Sequence, residues 1–327
     1  MAAQAEIQNW VQTVYQQPCS LSVALANWNI APSYILKPTH QLEVALFRAM
    51  MDYFTYYPGK CSAVIRSMET HKSLVLPEGQ LPSCEISDVL FVSFSKVNHI
   101  IRMTHMQTKR ANTIVNPYAY PSIDFPLNAR QYYLLNNRLP FANKNNVFYI
   151  EDTLCNAEMS DSIASYGIFY LDNNNQYNIA YEVAAYVKKI GQVGTFTFPN
   201  NDKRYSNRWW MDSYPSENDW RQSYSHGDIC ANIGELNSTL LTDIFEQELF
   251  SCCVGSRIKQ GTPFGNRIIA NIISILGHAM PVNTDVFDDF LAFLSDFGFE
   301  RNDRIREIAL PQNIVLINSD EARRRMG

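Results

Sequence analysis

The first 140 residues alternate between the hydrophobic periods of helices and strands. Apolar positions recur at helical spacing over residues 40–57, and Pro58-Gly59 ends that pattern. Strand-like segments follow at residues 62–68, 89–94 and 100–109. A further helix is predicted over residues 128–137. This order predicts a helix, then a strand-rich meander whose last two strands form a hairpin, then a second helix.

The rest of the chain predicts more strands and then mainly helices. Strands are expected at residues 147–150 and 168–171, and helices at residues 238–250, 265–276 and 284–297. We therefore divide the chain into a helical extension (1–30), an α/β domain (31–189) and a mostly helical C-terminal part (190–327). The last part is expected to bind a partner or the substrate.

Composition places the chain among ordinary globular proteins. Of 327 residues, 46% are hydrophobic and only 18% are charged, which is enough apolar material for a sizeable core. The N-terminus lacks the basic start and apolar run of a signal peptide, so we expect a cytoplasmic protein without membrane contact. The seven cysteines form no C-x-x-C pair, which argues against a disulfide framework and a structural zinc site. The net charge of −5 argues against sequence-independent coating of nucleic acid.

One carboxylate falls on the apolar side of the first predicted helix. At 100° per residue, the polar residues of this helix form one stripe, which consists of Gln41, Arg48, Asp52 and Thr55. Glu43 lies on the opposite side, between Met50 and Phe54. An unpaired carboxylate in such a place costs several kcal/mol or must stay protonated. Glu43 is therefore either one half of a structural ion pair or a carboxylate of an active or metal site.

The predicted hairpin brings further polar groups together. Asp88 directly precedes the apolar run at 89–92, and Gln107 and Lys109 lie near the end of the following strand. Alternation along a strand places Gln107 and Lys109 on one face. Because the start of one hairpin strand lies beside the end of its partner, we expect Asp88 next to both residues. Glu85 is a further carboxylate close to this position.

These residues, in this order, resemble the PD-(D/E)xK nuclease superfamily, which includes many restriction endonucleases. Gln107-Thr108-Lys109 is similar to the Q-x-K variant of the Mrr family and of effector nucleases in anti-phage systems such as CBASS and Lamassu. The resemblance covers about residues 39–140. Ser87 stands where these nucleases usually have proline, and the amide of Gln107 replaces the usual acid.

The resemblance implies a fold and a mechanism. The fold would be a restriction-endonuclease-like α/β core, with a central mixed sheet flanked by helices. The reaction would be hydrolysis of DNA phosphodiester bonds with Mg²⁺ or Mn²⁺, which offsets phosphate charge and lowers the pKa of the attacking water. Lys109 would orient that water and stabilise the phosphate charge. The expected metal ligands are Asp88, Gln107, Glu43 and Glu85, and the expected substrate contacts are His105, Arg110 and Gln131.

The resemblance also implies that the protein is an anti-phage effector, which would act as a homodimer or inside a multi-protein defence complex. Two other functions stay open. A stand-alone type II restriction endonuclease would use the same residues. A noncatalytic interaction subunit would keep the nuclease-like fold, which the amide of Gln107 and the acidic net charge both allow. The chain has no G-x-S-x-G elbow, no H-E-x-x-H motif and no complete P-loop, so serine hydrolases, zinc proteases of that type and P-loop NTPases are not supported.

Overall fold

The computed structural model describes most, but not all, of the chain. The described residues are 5, 8–10, 20–36, 41–56, 61–66, 74–77, 84–115, 123–138, 141–143, 154, 156–191, 228–233, 240–278, 284–296 and 313–326. The strand predicted at 147–150 lies outside them.

The described residues include the following helices and strands. The helices are α1 (Leu21–Ala26), α2 (Pro32–Leu36), α3 (Leu42–Tyr56), α4 (Ala129–Asn136), α5 (Thr242–Phe250), α6 (Pro263–His278), α7 (Thr284–Ser295) and α8 (Ser319–Met326). The strands are β1 (Ser62–Arg66), β2 (Leu74–Pro77), β3 (Cys84–Glu85), β4 (Val89–Ser95), β5 (Ile100–Ile114), β6 (Ile123–Asn128), β7 (Phe141–Asn143), β8 (Ala164–Leu171), β9 (Tyr177–Val183), β10 (Val187–Gly191), β11 (Asp228–Ile233), β12 (Leu240–Leu241), β13 (Ser256–Arg257) and β14 (Asn313–Asn318).

A mixed sheet of eight strands forms the centre of the fold. Seven strands follow the order β1-β14-β4-β5-β8-β9-β12, and β13 pairs with β5. β4 and β5 form an antiparallel hairpin, and each has a parallel neighbour on its outer side. β14 pairs parallel with β4, and β8 pairs parallel with β5. The remaining pairs in this sheet are antiparallel. Two further sheets have three strands each, β10-β11-β6 and β3-β2-β7.

Helices cover both faces of the central sheet. All seven residues of β4 are buried, as expected for a central strand. Because successive side chains of a strand point to opposite faces, Leu90 and Val92 pack with α4, α6 and α7, whereas Val89 and Phe91 pack with α1, α3 and α5. The expected α/β class, with a central mixed sheet flanked by helices, is therefore confirmed.

Most predicted elements of the first 140 residues are present. The helix predicted at 40–57 is α3, and the helix predicted at 128–137 is α4. The hairpin strands are β4 and β5, but β5 continues to Ile114, five residues beyond its predicted end. Pairing explains the extension, because parallel β8 follows β5 through Arg110 and, after a register shift, pairs again at Ile114.

The chain beyond residue 190 contains strands as well as helices. β14 lies between β1 and β4 at the centre of the sheet, and β12 forms the sheet's edge next to β9. The central sheet thus uses strands from both sides of the predicted boundary at residue 190. Residues 238–250, predicted as one helix, contain β12 and then α5, which begins at Thr242.

Asp52 is not part of a solvent-facing stripe, contrary to the helical pattern. It is 2% exposed, and its carboxylate accepts hydrogen bonds from the backbone N–H of Ser33 (2.7 Å) and the Ser33 hydroxyl (2.5 Å). Both donors belong to the first turn of α2, which packs against α3. The carboxylate therefore satisfies an N–H at a helix start, where the helix offers no acceptor of its own.

Candidate active site

Asp88 lies immediately before β4 and is held by the middle of β5, just beyond the last regular β4–β5 pair, Val89 with Met106. Its backbone N–H donates to the Met106 carbonyl (3.1 Å), which continues the hairpin ladder by one residue. Its Oδ2 accepts three hydrogen bonds, from Gln107 Nε2 (2.6 Å), the Thr108 backbone N–H (2.7 Å) and the Thr108 hydroxyl (2.5 Å). Asn313, at the start of β14, donates to the Asp88 carbonyl (3.2 Å). The hairpin therefore places Asp88 beside Gln107, as the sequence predicts, whereas the hydrogen bonds described for the Asp88 carboxylate do not include the expected neighbour Lys109.

Gln107 connects Asp88 to α4. Its side chain is 2% exposed, and while its nitrogen donates to Asp88, its oxygen accepts a hydrogen bond from Gln131 Nε2 (2.9 Å). Gln131 is itself buried. The prediction assigned the Gln107 oxygen to a metal and Gln131 to the substrate. In the structure these two amides bind each other, and the Gln107 nitrogen faces Asp88.

Lys109 forms an ion pair with Glu43, the carboxylate on the apolar side of α3. Lys109 Nζ lies 3.4 Å from Glu43 Oε1, and the two side chains are 16% and 36% exposed. Glu43 belongs to the first turn of α3, whereas the buried face of that helix begins at Ala45, so Glu43 is half-buried rather than enclosed. Glu43 is therefore half of an ion pair, and its partner is the lysine of the Q-x-K motif.

Glu85 adds a carboxylate within electrostatic reach of the same groups. It lies on β3, three residues before Asp88, and its side chain is exposed. Partial desolvation raises the pKa of Glu85, the negative charge of Asp88 raises it further, and the positive charge of Lys109 lowers it. The Glu85 carboxylate thus interacts electrostatically with Asp88 and with Lys109, whose ammonium group is paired with Glu43.

His105 and Arg110 occupy different environments. The His105 ring is fully buried, and its Nδ1 lies 3.2 Å from the Ser87 hydroxyl. Desolvation lowers the pKa of His105 to about 3, so the ring is neutral at physiological pH. A neutral ring at this depth belongs to the strand packing, which differs from the expected contact with a phosphate. Arg110 follows Lys109 on β5 and is exposed, where a substrate can reach it.

The donor set suits a hard divalent cation with few protein ligands. Among the residues that the structure describes, no group of three or more His, Cys, Asp and Glu side chains is placed to hold a metal. Mg²⁺ commonly keeps several waters and uses one or two carboxylates. Asp88 can supply Oδ1, because its three described side-chain bonds all go to Oδ2. Asp88 and Glu85 offer carboxylate oxygens, the type of ligand that Mg²⁺ and Mn²⁺ prefer.

Two contributors to the site escaped the sequence analysis. Thr108 binds Asp88 through both its backbone and its hydroxyl, yet it is the unspecified residue of the Q-x-K motif. Asn313 comes from the far end of the chain. Thr108 was weakly indicated, since a threonine between two predicted site residues has a hydroxyl that can donate a hydrogen bond. No feature of the sequence indicated Asn313.

Each helix in the described segments is too short or too polar to cross a membrane.

Comparisons with known proteins identified no relative. No family model matches the chain, and neither the curated proteins nor the solved structures include a match to it.

Proposed function

We propose that this protein is a metal-dependent endonuclease that hydrolyses phosphodiester bonds in DNA. One observation supports the proposal: four residues named from the sequence contact one another in two pairs, and Glu85 lies within electrostatic reach of both pairs. Asp88 contacts Gln107 from the hairpin, and Lys109 contacts Glu43 from α3. Sixty-six positions separate Lys109 from Glu43, so no local regularity of the chain accounts for their contact.

The site residues suggest a division of labour. A divalent cation held there would offset phosphate charge and lower the pKa of a bound water. Asp88, through Oδ1, and Glu85 would be its protein ligands. Glu43 keeps the Lys109 ammonium group at the site. An ammonium group has three N–H donors, and the bond to Glu43 uses one, so Lys109 can also orient the attacking water and contact a phosphate oxygen.

The test is cleavage of plasmid and linear DNA by the full chain with Mg²⁺, Mn²⁺ or EDTA. Lys109→Ala should reduce the rate by about 10²–10³, the usual effect of removing one group that stabilises transition-state charge. Asp88→Asn should reduce it at least as far. Lys96→Ala is the matched control, because Lys96 forms a comparable ion pair with Asp289 (3.1 Å) and belongs to the turn at the opposite end of the hairpin.

Three results would contradict the endonuclease. Cleavage that persists in EDTA would exclude the metal-dependent mechanism. Equal rates for Lys109→Ala and Lys96→Ala would exclude the assigned site. A folded wild-type protein that cuts neither single- nor double-stranded DNA with any of these ions would favour the second candidate, a noncatalytic subunit. The observation that favours this second candidate is that the Gln107 oxygen, an expected metal ligand, accepts a hydrogen bond from Gln131.

The biological role follows from the resemblance to anti-phage effectors and is part of the same proposal. An effector should be toxic to a bacterial host when activated, and Lys109→Ala should remove the toxicity. Defined ends on the cut DNA, produced without any partner, would instead identify a stand-alone restriction endonuclease.

A further inference from the structure

The hydrogen bonds around Asp88 are unevenly distributed over its carboxylate. Oδ2 receives all three described side-chain bonds, two of them from Thr108 and one from Gln107. Thr108 is 2% exposed. A carboxylate oxygen has about two lone-pair sites, so three donors occupy Oδ2 fully. The orientation of the whole group is thereby set, and Oδ1 is the oxygen left for a further ligand.

This arrangement depends on the place of Asp88 at the end of a strand pair. Gln107 and Thr108 are consecutive residues of β5, and consecutive side chains of a strand point to opposite faces. Both nevertheless reach the same oxygen, because Asp88 comes one residue before the first regular pair of β4, Val89 with Met106, and Thr108 reaches it through its backbone N–H as well as its hydroxyl. An acid at any position inside β4 would face only one of them.

We propose that Thr108 is a positioning residue, which together with the Gln107 amide fixes the Asp88 carboxylate so that Oδ1 faces the divalent cation. The inference rests on the proposed endonuclease function and deepens it. Gln107 then acts as a donor to Asp88, with its orientation fixed by Gln131, and it is not a metal ligand. This role requires an amide: a carboxylate at position 107 would put an acceptor against an acceptor, 2.6 Å from Asp88 Oδ2.

The experiment compares variants of two buried threonines on the same strand. Thr108→Val removes the hydroxyl at nearly constant shape, and Thr108→Ser restores it. Thr104→Val is the control, since Thr104 is equally buried and its hydroxyl is hydrogen-bonded to the Ser165 hydroxyl (2.9 Å), away from Asp88. Three quantities are measured for each full-length variant: Mn²⁺ binding without DNA, from the electron paramagnetic resonance of free Mn²⁺; the Mg²⁺ concentration for half-maximal cleavage; and the free energy of unfolding.

Thr108→Val should weaken Mn²⁺ binding and raise the half-maximal Mg²⁺ concentration by about 10-fold or more, as loss of a group that orients a metal ligand does. Thr108→Ser should recover most of the affinity. Thr104→Val should lose stability with no change in Mn²⁺ binding. If Thr108→Val does not fold, Thr108→Ala replaces it with the same expectation for Mn²⁺.

Each adverse result has a distinct meaning. If the wild type cleaves DNA but Thr108→Val binds Mn²⁺ as the wild type does, the positioning role is refuted and the endonuclease stands. The same holds if Thr108→Ser is as impaired as Thr108→Val, because the hydroxyl is then irrelevant. If the wild type neither binds Mn²⁺ nor cleaves DNA, the proposed function fails, and the positioning role fails with it.

Discussion

Glu246 is a buried carboxyl group that joins three helices distant in sequence. It lies on α5, accepts a hydrogen bond from the backbone N–H of Leu21 at the start of α1 (2.8 Å), and accepts another from the Tyr53 hydroxyl of α3. The residue is 8% exposed. Burial raises the pKa of Glu246 to about 7, the bonds from Tyr53 and Leu21 oppose the rise, and the charge of Asp243 adds to it.

The size of the resulting pH effect follows from that change. Protonation is favoured in the folded state, so the contribution of Glu246 to stability is complete below pH 4.5, the ordinary pKa, and is lost as the pH rises to about 7. One pKa unit corresponds to about 1.4 kcal/mol, so the loss is about 3 kcal/mol. Glu246→Gln imitates the protonated group. It should be about 3 kcal/mol more stable than the wild type at pH 8 and nearly equal to it at pH 4.

Urea unfolding of the full chain at pH 4, 5, 6, 7 and 8 measures this difference. Subtracting the wild type from Glu246→Gln cancels the groups that titrate in both proteins. Glu248→Gln is the control, because it makes the same substitution at a half-buried position on the same helix. A difference between Glu246→Gln and the wild type that stays constant from pH 4 to pH 8 would refute the reasoning, as would one that shrinks as the pH rises.

Three other substitutions test the site and the fold. Gln107→Glu places a carboxylate against Asp88 Oδ2, so the free energy of unfolding in EDTA should fall by about 1–3 kcal/mol; unchanged stability with tighter Mn²⁺ binding would show that position 107 is a metal ligand. Asp52→Ala removes both acceptors of Ser33 and should cost about 1–3 kcal/mol in urea unfolding, more than Asp52→Asn. Gly255→Ala should reduce the free energy of unfolding by about 1–3 kcal/mol and so lower the melting temperature. Gly255 has φ +91°, and an added Cβ would lie 2.5 Å from the Met103 carbonyl oxygen. A melting temperature equal to that of the wild type would contradict the strain.

The local elements around the site were predictable because their signals are local. β4 opens with four consecutive apolar residues, as is typical of a strand buried on both faces, and the helical period of residues 40–57 identifies α3. The site contact followed from these elements, because the residue before the first strand of a hairpin lies opposite a residue of the second strand. This pairing puts Asp88 against Gln107. Glu43 stood out because its charge conflicts with the side of the helix it occupies.

What the sequence determined by itself is therefore the set of elements and the chemical types placed at their ends. The tertiary structure decided the rest, since it depends on contacts between residues far apart in the chain. β14 enters the sheet between β1 and β4, and Asn313 thereby reaches Asp88 across 225 positions. Asp52 is buried because α2 packs over it. The amide of Gln107 donates to Asp88 because α4 supplies the donor for its oxygen. Hydrophobic periodicity describes only one element at a time, and it does not specify which elements become neighbours.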